Sequence, residues 1–297
     1  MRGIYRFYQD GKLIAERKNL LTTEGKRLIL RYLAGQSPSL GAAIGLGVSE
    51  IAATVSDEML GFEIERVSVD LRNADYTNDV VIFKGTIEQD TTFNIYEAGL
   101  WSASTNVLSG EFESRLVTTF DTEIEAWTNV TEDTTANRTS ESAVRVDATA
   151  STTTSAQLDV EMDLSGYSYN DTFLLAFSKP DNNIDSITLK FEDTVSGGVL
   201  SLSKTISSLP TGYNILEFRK GDFTATGTIS WESISRITFD VTAGGTDSYV
   251  ILDGLRVEDV DTPNQNYILV SHAVLGSPIA KTNIAPMDIE YALEFSV

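Results

Sequence analysis

The sequence predicts a mainly β protein with one α-helix, in which an outer β-rich module is interrupted by an inserted antiparallel β-sandwich. Three observations predict it. Short runs rich in β-branched and aromatic residues, bounded by Gly, Asp and Asn turns, recur along almost the whole chain. One stretch alone, near residues 23–34, has helical periodicity. Between residues 121 and 261 the composition changes: Ser and Thr become dense, and 24 acidic residues stand against 9 basic ones.

Size and charge bound the rest. A chain of 297 residues fits one large or two ordinary domains. A net charge of -21 repels phosphate backbones and anionic lipid, which sets nucleic acid and membrane surfaces aside as partners. There is no cysteine, so disulfides, thiolate metal sites and thiol nucleophiles are excluded. No apolar signal region and no run long enough to span a bilayer is found, and a soluble, unprocessed chain is expected.

In chain order, Ile4 to Gln9 and Lys12 to Arg17 flank Asp10-Gly11, whose residues tolerate the positive φ of a type I′ hairpin. Thr22 or Thr23 offers an N-cap to a helix over Thr23 to Ala34, with Leu28, Ile29, Tyr32 and Leu33 on one face and Gly35 closing it. Strands are predicted at Ala43 to Val48, Gly61 to Val69, Val80 to Ile87 and Phe93 to Trp101, with a bulge near Arg66 where the alternation changes phase. Met287 to Val297 alternates strictly and reads as a final strand with one wet face. In the middle stretch, eight further runs from Ala143 to Val257 give the inserted sandwich, opened by Phe120 to Trp127 and closed by Tyr249 to Val257. The outer module is therefore residues 1–120 with 262–297, and the insert is 121–261. Leu116 to Thr119 would leave the outer sheet and Tyr267 to Val270 re-enter it.

Two resemblances attach to these runs. The succession Ile44-Gly45-Leu46-Gly47, Asp57-Glu58-Met59-Leu60, Glu63 to Val69, Val81 to Ile87 and Ile95-Tyr96-Glu97-Ala98-Gly99-Leu100-Trp101 resembles a module of tailed-bacteriophage virion proteins, with Trp101 where Phe is usual. It implies a structural part of a tail, fibre or capsid surface that assembles with other virion proteins and with copies of itself. Each position also has a structural reading: Gly45 and Gly47 allow close backbone approach, and Glu97 pairs with Arg66 between strands. The second resemblance lies in Phe120-Asp121, Trp127, Ala143 to Val146, Gly166-Tyr167, Trp231 to Phe239 and Val250 to Val257. This order is similar to carbohydrate-binding-module jelly rolls, which implies the fold of the insert and leaves its ligand open.

That second resemblance also implies a structural calcium ion between the first and last strands, held by Asp121, Glu123 and Asp253. Read from the residues themselves, those carboxylates are solvated turn and strand groups. Tyr167, Tyr169 and Tyr213, near predicted strand ends, are candidates to stack on sugar rings, while the same resemblance implies that Trp127 and Trp231 pack in the core. Catalytic signals are sparse. The lone histidine, His272, shares its strand face with Ile268, Val270 and Val274 and reads as a hydrogen-bonded sheet residue, and no nucleophile elbow or phosphate loop accompanies it. The expectation is a non-enzymatic component of a phage particle with the acidic sandwich projecting from its surface. The alternative is a lectin-like, receptor-binding protein that recognises cell-surface glycans.

Overall fold

The computed structural model describes residues 1–36, 40–103, 116–122, 125–258 and 267–295. The chain forms two compact units, Met1–Ser114 with Thr262–Val297, and Arg115–Asp261. β1 (Arg2–Gln9) and β2 (Lys12–Lys18) are the hairpin that Asp10-Gly11 encodes, and both turn residues take positive φ, 50° and 72°. After β3 (Leu20–Leu21), the Thr22 hydroxyl accepts the Gly25 N–H and caps α1 (Thr23–Leu33). The helix docks through its first turns, where a Cβ on Gly25 would fall 2.1 Å from the Val270 carbonyl oxygen. Leu28 and Ile29 are buried there, but Tyr32 and Leu33, expected on the same face, stand clear in the last turn.

β4 (Ala43–Gly47), β5 (Glu63–Ser68), β6 (Leu71–Asp75), β7 (Val80–Ile87) and β8 (Phe93–Ala103) follow. The bulge expected near Arg66 lies two residues earlier. Leu46 pairs with Glu65 and Gly47 with Glu63, so Ile64 is the extra residue.

The second unit begins with β9 (Leu116–Thr118). This run was expected to leave the outer sheet; instead it pairs with a strand of the second unit, at Leu255 and Arg256. Nor do the described residues between Phe120 and Trp127 form an opening strand. Phe120 has φ 57°, a left-handed conformation that breaks extended chain, and its buried ring stacks on Trp127 at 4.8 Å and meets Phe239 edge-on at 5.3 Å. Then come β10 (Thr131–Asp133), β11 (Ala143–Ala148), β12 (Thr153–Met162), β13 (Thr172–Lys179), β14 (Ile184–Asp193), β15 (Gly198–Thr205), β16 (Gly212–Arg219), β17 (Thr224–Thr226), β18 (Ile234–Ala243) and β19 (Ser248–Glu258). They form two antiparallel sheets, β10-β11-β19-β13-β16 with β9 also on β19, and β12-β18-β14-β15-β17. Between them lies one core that includes Phe173, Phe177, Phe191, Phe218 and Phe239. This is an antiparallel β-sandwich.

The chain returns to the first unit as β20 (Tyr267–Lys281) and β21 (Met287–Glu294). The sheets there run β2-β1-β21-β7-β6 and β3-β20-β8-β4-β5, and the Tyr5 hydroxyl joins them through Ser271 Oγ at 2.7 Å. Ala103 and Tyr267 are register partners, so the chain leaves and re-enters at one point of the β8/β20 ladder. At either margin the edge strand of one sheet runs straight into the edge strand of the other, β2 into β3 and β5 into β6. The outer strands are thereby joined covalently, which limits exposed edge.

Candidate functional site

A cleft of about 570 Å³ lies at one end of the second unit, between the segment after β12 and the segment before β18. Its first wall is Leu164 to Asp171. Asp163 accepts the Ser165 N–H at 2.8 Å in an Asx turn, and the Asp171 carboxylate reaches back to accept the Ser168 N–H at 2.7 Å, so the segment folds on itself. Tyr167 packs partly against the core, whereas Tyr169 is 72% exposed. The opposite wall is Ser230-Trp231-Glu232, with Trp231 half-buried and stacked 5.9 Å from Phe173. The walls are joined by Leu164 N–H to Trp231 O at 2.7 Å. Two of the three tyrosines singled out in the sequence therefore share a cleft, together with a tryptophan that the sequence placed in the core.

Tyr213 is elsewhere. It lies on β16, donates its hydroxyl to Asp253 at 2.5 Å, and carries the Arg138 guanidinium 3.7 Å over its ring. Asp253 is the bulged residue of β19: Leu252 pairs with Phe177 and Gly254 with Ala176, leaving Asp253 without a partner on β13. The bulge switches the face that looks inward, so Val250 and Leu252 before it and Leu255 and Val257 after it all reach the core. The Asp253 carboxylate is fully buried and accepts the Arg138 N–H at 3.0 Å on both oxygens, besides Thr139 and Tyr213. Burial pushes its pKa up to about 6 against the opposite pull of those donors.

This donor set does not fit the expected calcium ion. Hydrogens point at the lone pairs a hard cation would need. Asp121 is buried and accepts the Ser142 hydroxyl at 3.0 Å, and Glu123 falls outside the described residues. Among the described residues no group of three or more Asp, Glu or His side chains is placed to hold a metal.

No protein-family model matches the chain, and no curated protein matches it. Solved structures do. A family 11 carbohydrate-binding module from Clostridium thermocellum, in complex with a β-1,3-1,4-mixed-linked tetrasaccharide, is similar over 48% of this chain and 94% of its own, at 12% identity and a TM-score of 0.38. A family 30 carbohydrate-binding module of a cellulosomal cellulase from the same organism covers 60% of this chain and 99% of its own, at 13% identity and 0.35. An exo-β-agarase matches over 51% of this chain and 25% of its own, at 14% identity and 0.37. None of the three is a virion protein, and at these values the likeness says nothing of a ligand.

The first unit holds the one histidine. His272 Nδ1 is 2.6 Å from Asp57 and Nε2 is 2.9 Å from Glu97, so the ring bridges two carboxylates. Burial lowers its pKa, but hydrogen bonds and charge from Glu97 and Asp57 outweigh this and raise it. Glu97 has no exposed surface and also accepts the N–H groups of Ser49, Gly61 and Phe62. Glu97 therefore does not take Arg66, as the sequence reading had it; Arg66 pairs with Glu63 and lies 4.1 Å over Trp101. A Cβ on Gly47 would fall 2.3 Å from Glu97 Oε1, which explains why glycine stands there. These spaced positions are joined in a buried polar network that ties the segment 48–62 to the sheet. Its enclosure leaves the imidazole no approach for a substrate.

Proposed function

We propose that this is a non-enzymatic glycan-recognition protein whose second unit binds neutral sugar at the cleft of Tyr167, Tyr169 and Trp231. The observation that carries this reading is Tyr169, an aromatic ring 72% exposed in the lining of a cleft that also holds Trp231. Such rings offer apolar area to the C–H faces of pyranoses, and the hydroxyl and amide groups of Ser168, Asn170 and Ser230 offer donors and acceptors to sugar hydroxyls. Glu232 in the lining and the surplus of 24 acids over 9 bases in residues 121–261 disfavour uronates and sulfated chains. The virion setting, with other virion proteins and further copies of the chain as partners and a host-surface glycan as ligand, is supported by the pattern in residues 44–101 alone.

The test is affinity electrophoresis of the full chain in gels containing a soluble β-glucan, a galactomannan or an arabinoxylan, with an array of cell-surface glycans beside it. Tyr169→Ala is expected to weaken the strongest interaction about tenfold, since one aromatic contact is worth roughly 1 kcal/mol or more. Retention of binding in Tyr169→Ala would move the ligand away from this cleft.

A further inference from the structure

Among the residues that line the cleft is a lysine with no part in the stacking just described. Lys220 follows β16 in a single 3-10 turn, Lys220–Asp222, and only 4% of its surface is exposed. No carboxylate is within hydrogen-bond reach of its ammonium among the described residues. Instead Nζ donates to the carbonyls of Leu164, at 2.8 Å, and Tyr167, and lies 5.0 Å from the Trp231 ring. The backbone repeats the connection: Lys220 N–H donates to Asp171 O and Gly221 N–H to Tyr169 O, both at 2.8 Å. A Cβ on Gly221 would fall 2.7 Å from that same Tyr169 oxygen, so the turn and the tyrosine wall are in closest approach. One cation thus touches the carbonyls of the wall that bears both tyrosines and the ring that forms the other wall.

We infer that Lys220 is the positioning residue of the glycan cleft, fixing Tyr167 and Tyr169 opposite Trp231 before any sugar arrives. The inference rests on the glycan reading. A buried ammonium is costly unless its donors are met, and here backbone carbonyls of one short segment meet them. Without the ammonium, Leu164 O and Tyr167 O lose their charged donor, and the segment is freed to move. The ligand would then have to order the two tyrosines itself, at a cost to affinity.

The same unit contains its own control. Lys179 is equally buried and its Nζ donates to Ile206 O and Asn182 Oδ1, both at 2.8 Å, but it holds a different segment, and neither it nor its partners line the cleft. The experiment compares Lys220→Met with Lys179→Met in the full chain, reading melting temperature and retardation by the three polysaccharides above. Both variants are expected to melt lower, and Lys220→Met alone is expected to lose affinity, about tenfold. Equal affinity in the two variants overturns the inference, because a lysine that serves stability only would behave like Lys179. Should Lys220→Met not fold, Lys220→Gln, which keeps an NH2 donor group without the charge, is read against Lys179→Gln by the same rule. If the wild-type chain binds none of the polysaccharides and no glycan on the array, the glycan reading falls and this inference with it. Wild-type binding that Lys220→Met leaves intact removes the inference and leaves the reading standing.

Discussion

Asp253 shows how one residue can be legible as a position and misleading as a chemistry. Its place near the middle of an apolar strand marks it as unusual in the sequence, where a carboxylate reads as a metal ligand or a solvated turn; the structure buries it, so it is not solvated, and turns donors toward its oxygens. It is the bulged residue, buried, with N–H and O–H donors closing over it. Because its folded pKa of about 6 lies above the ordinary 3.8, the folded state binds more protons between those values. Stability of the second unit is therefore expected to fall as pH rises from 4 to 7, by on the order of 3 kcal/mol for this group. Asp253→Asn should flatten that dependence, since an amide does not titrate, and lower the melting temperature at pH 5, since its NH2 faces donors that the carboxylate accepts, while added calcium leaves the wild-type transition unmoved; a calcium-induced rise would restore the metal reading. His272 carries the same sign in a higher pH window. Its pKa is raised by Glu97 and Asp57, so its contribution is complete below about 6.5, the unfolded value, and is lost as pH rises through the folded pKa. Scanning calorimetry of the full chain should show the first-unit transition falling through that window in wild type and flat in His272→Gln. The contact itself was not legible, because Asp57, Glu97 and His272 are far apart in the chain and sheet topology alone brings them together.

At the scale of the element, legibility followed length and alternation. The hairpin at Asp10-Gly11, the helix cap at Thr22 and the long runs of the second unit are encoded locally, by turn chemistry and by period. The three-residue strands β9, β10 and β17 are too short to show a period and exist because a neighbouring strand offers them a ladder. Phe120 is the instructive failure. An aromatic residue beside Asp121 looks like strand, and nothing in the sequence signals that its backbone turns left-handed so that its ring can plug the core next to Trp127. The cleft was half legible: Tyr167 and Tyr169 stand among Gly, Ser and Asn and so announce a turn, but Trp231 and Lys220 join them only through the fold.

For the whole molecule, the pairing of Ala103 with Tyr267 gives a direct expectation. Since the chain leaves and re-enters at one rung of a ladder, replacing residues 116–261 with a short Gly/Ser linker should leave the first unit folded, with a single cooperative transition, because closing a loop depends only weakly on its length. Circular dichroism and calorimetry of that variant check it, and a molten product would mean that the two units fold as one.

The same rung has a mechanical meaning. A pull exerted on the second unit reaches the first through two connections at once, and these enter adjacent antiparallel strands from the same end. The load is split between β8 and β20, and both are drawn in one direction, so their mutual hydrogen bonds are not peeled apart. Resistance comes instead from the ladders on their far sides, five register pairs of β4 against β8 and two of β3 against β20. A protein tethered by its inserted unit would hold under tension as a two-legged anchor does, where a domain attached by one terminus would hang by a single chain.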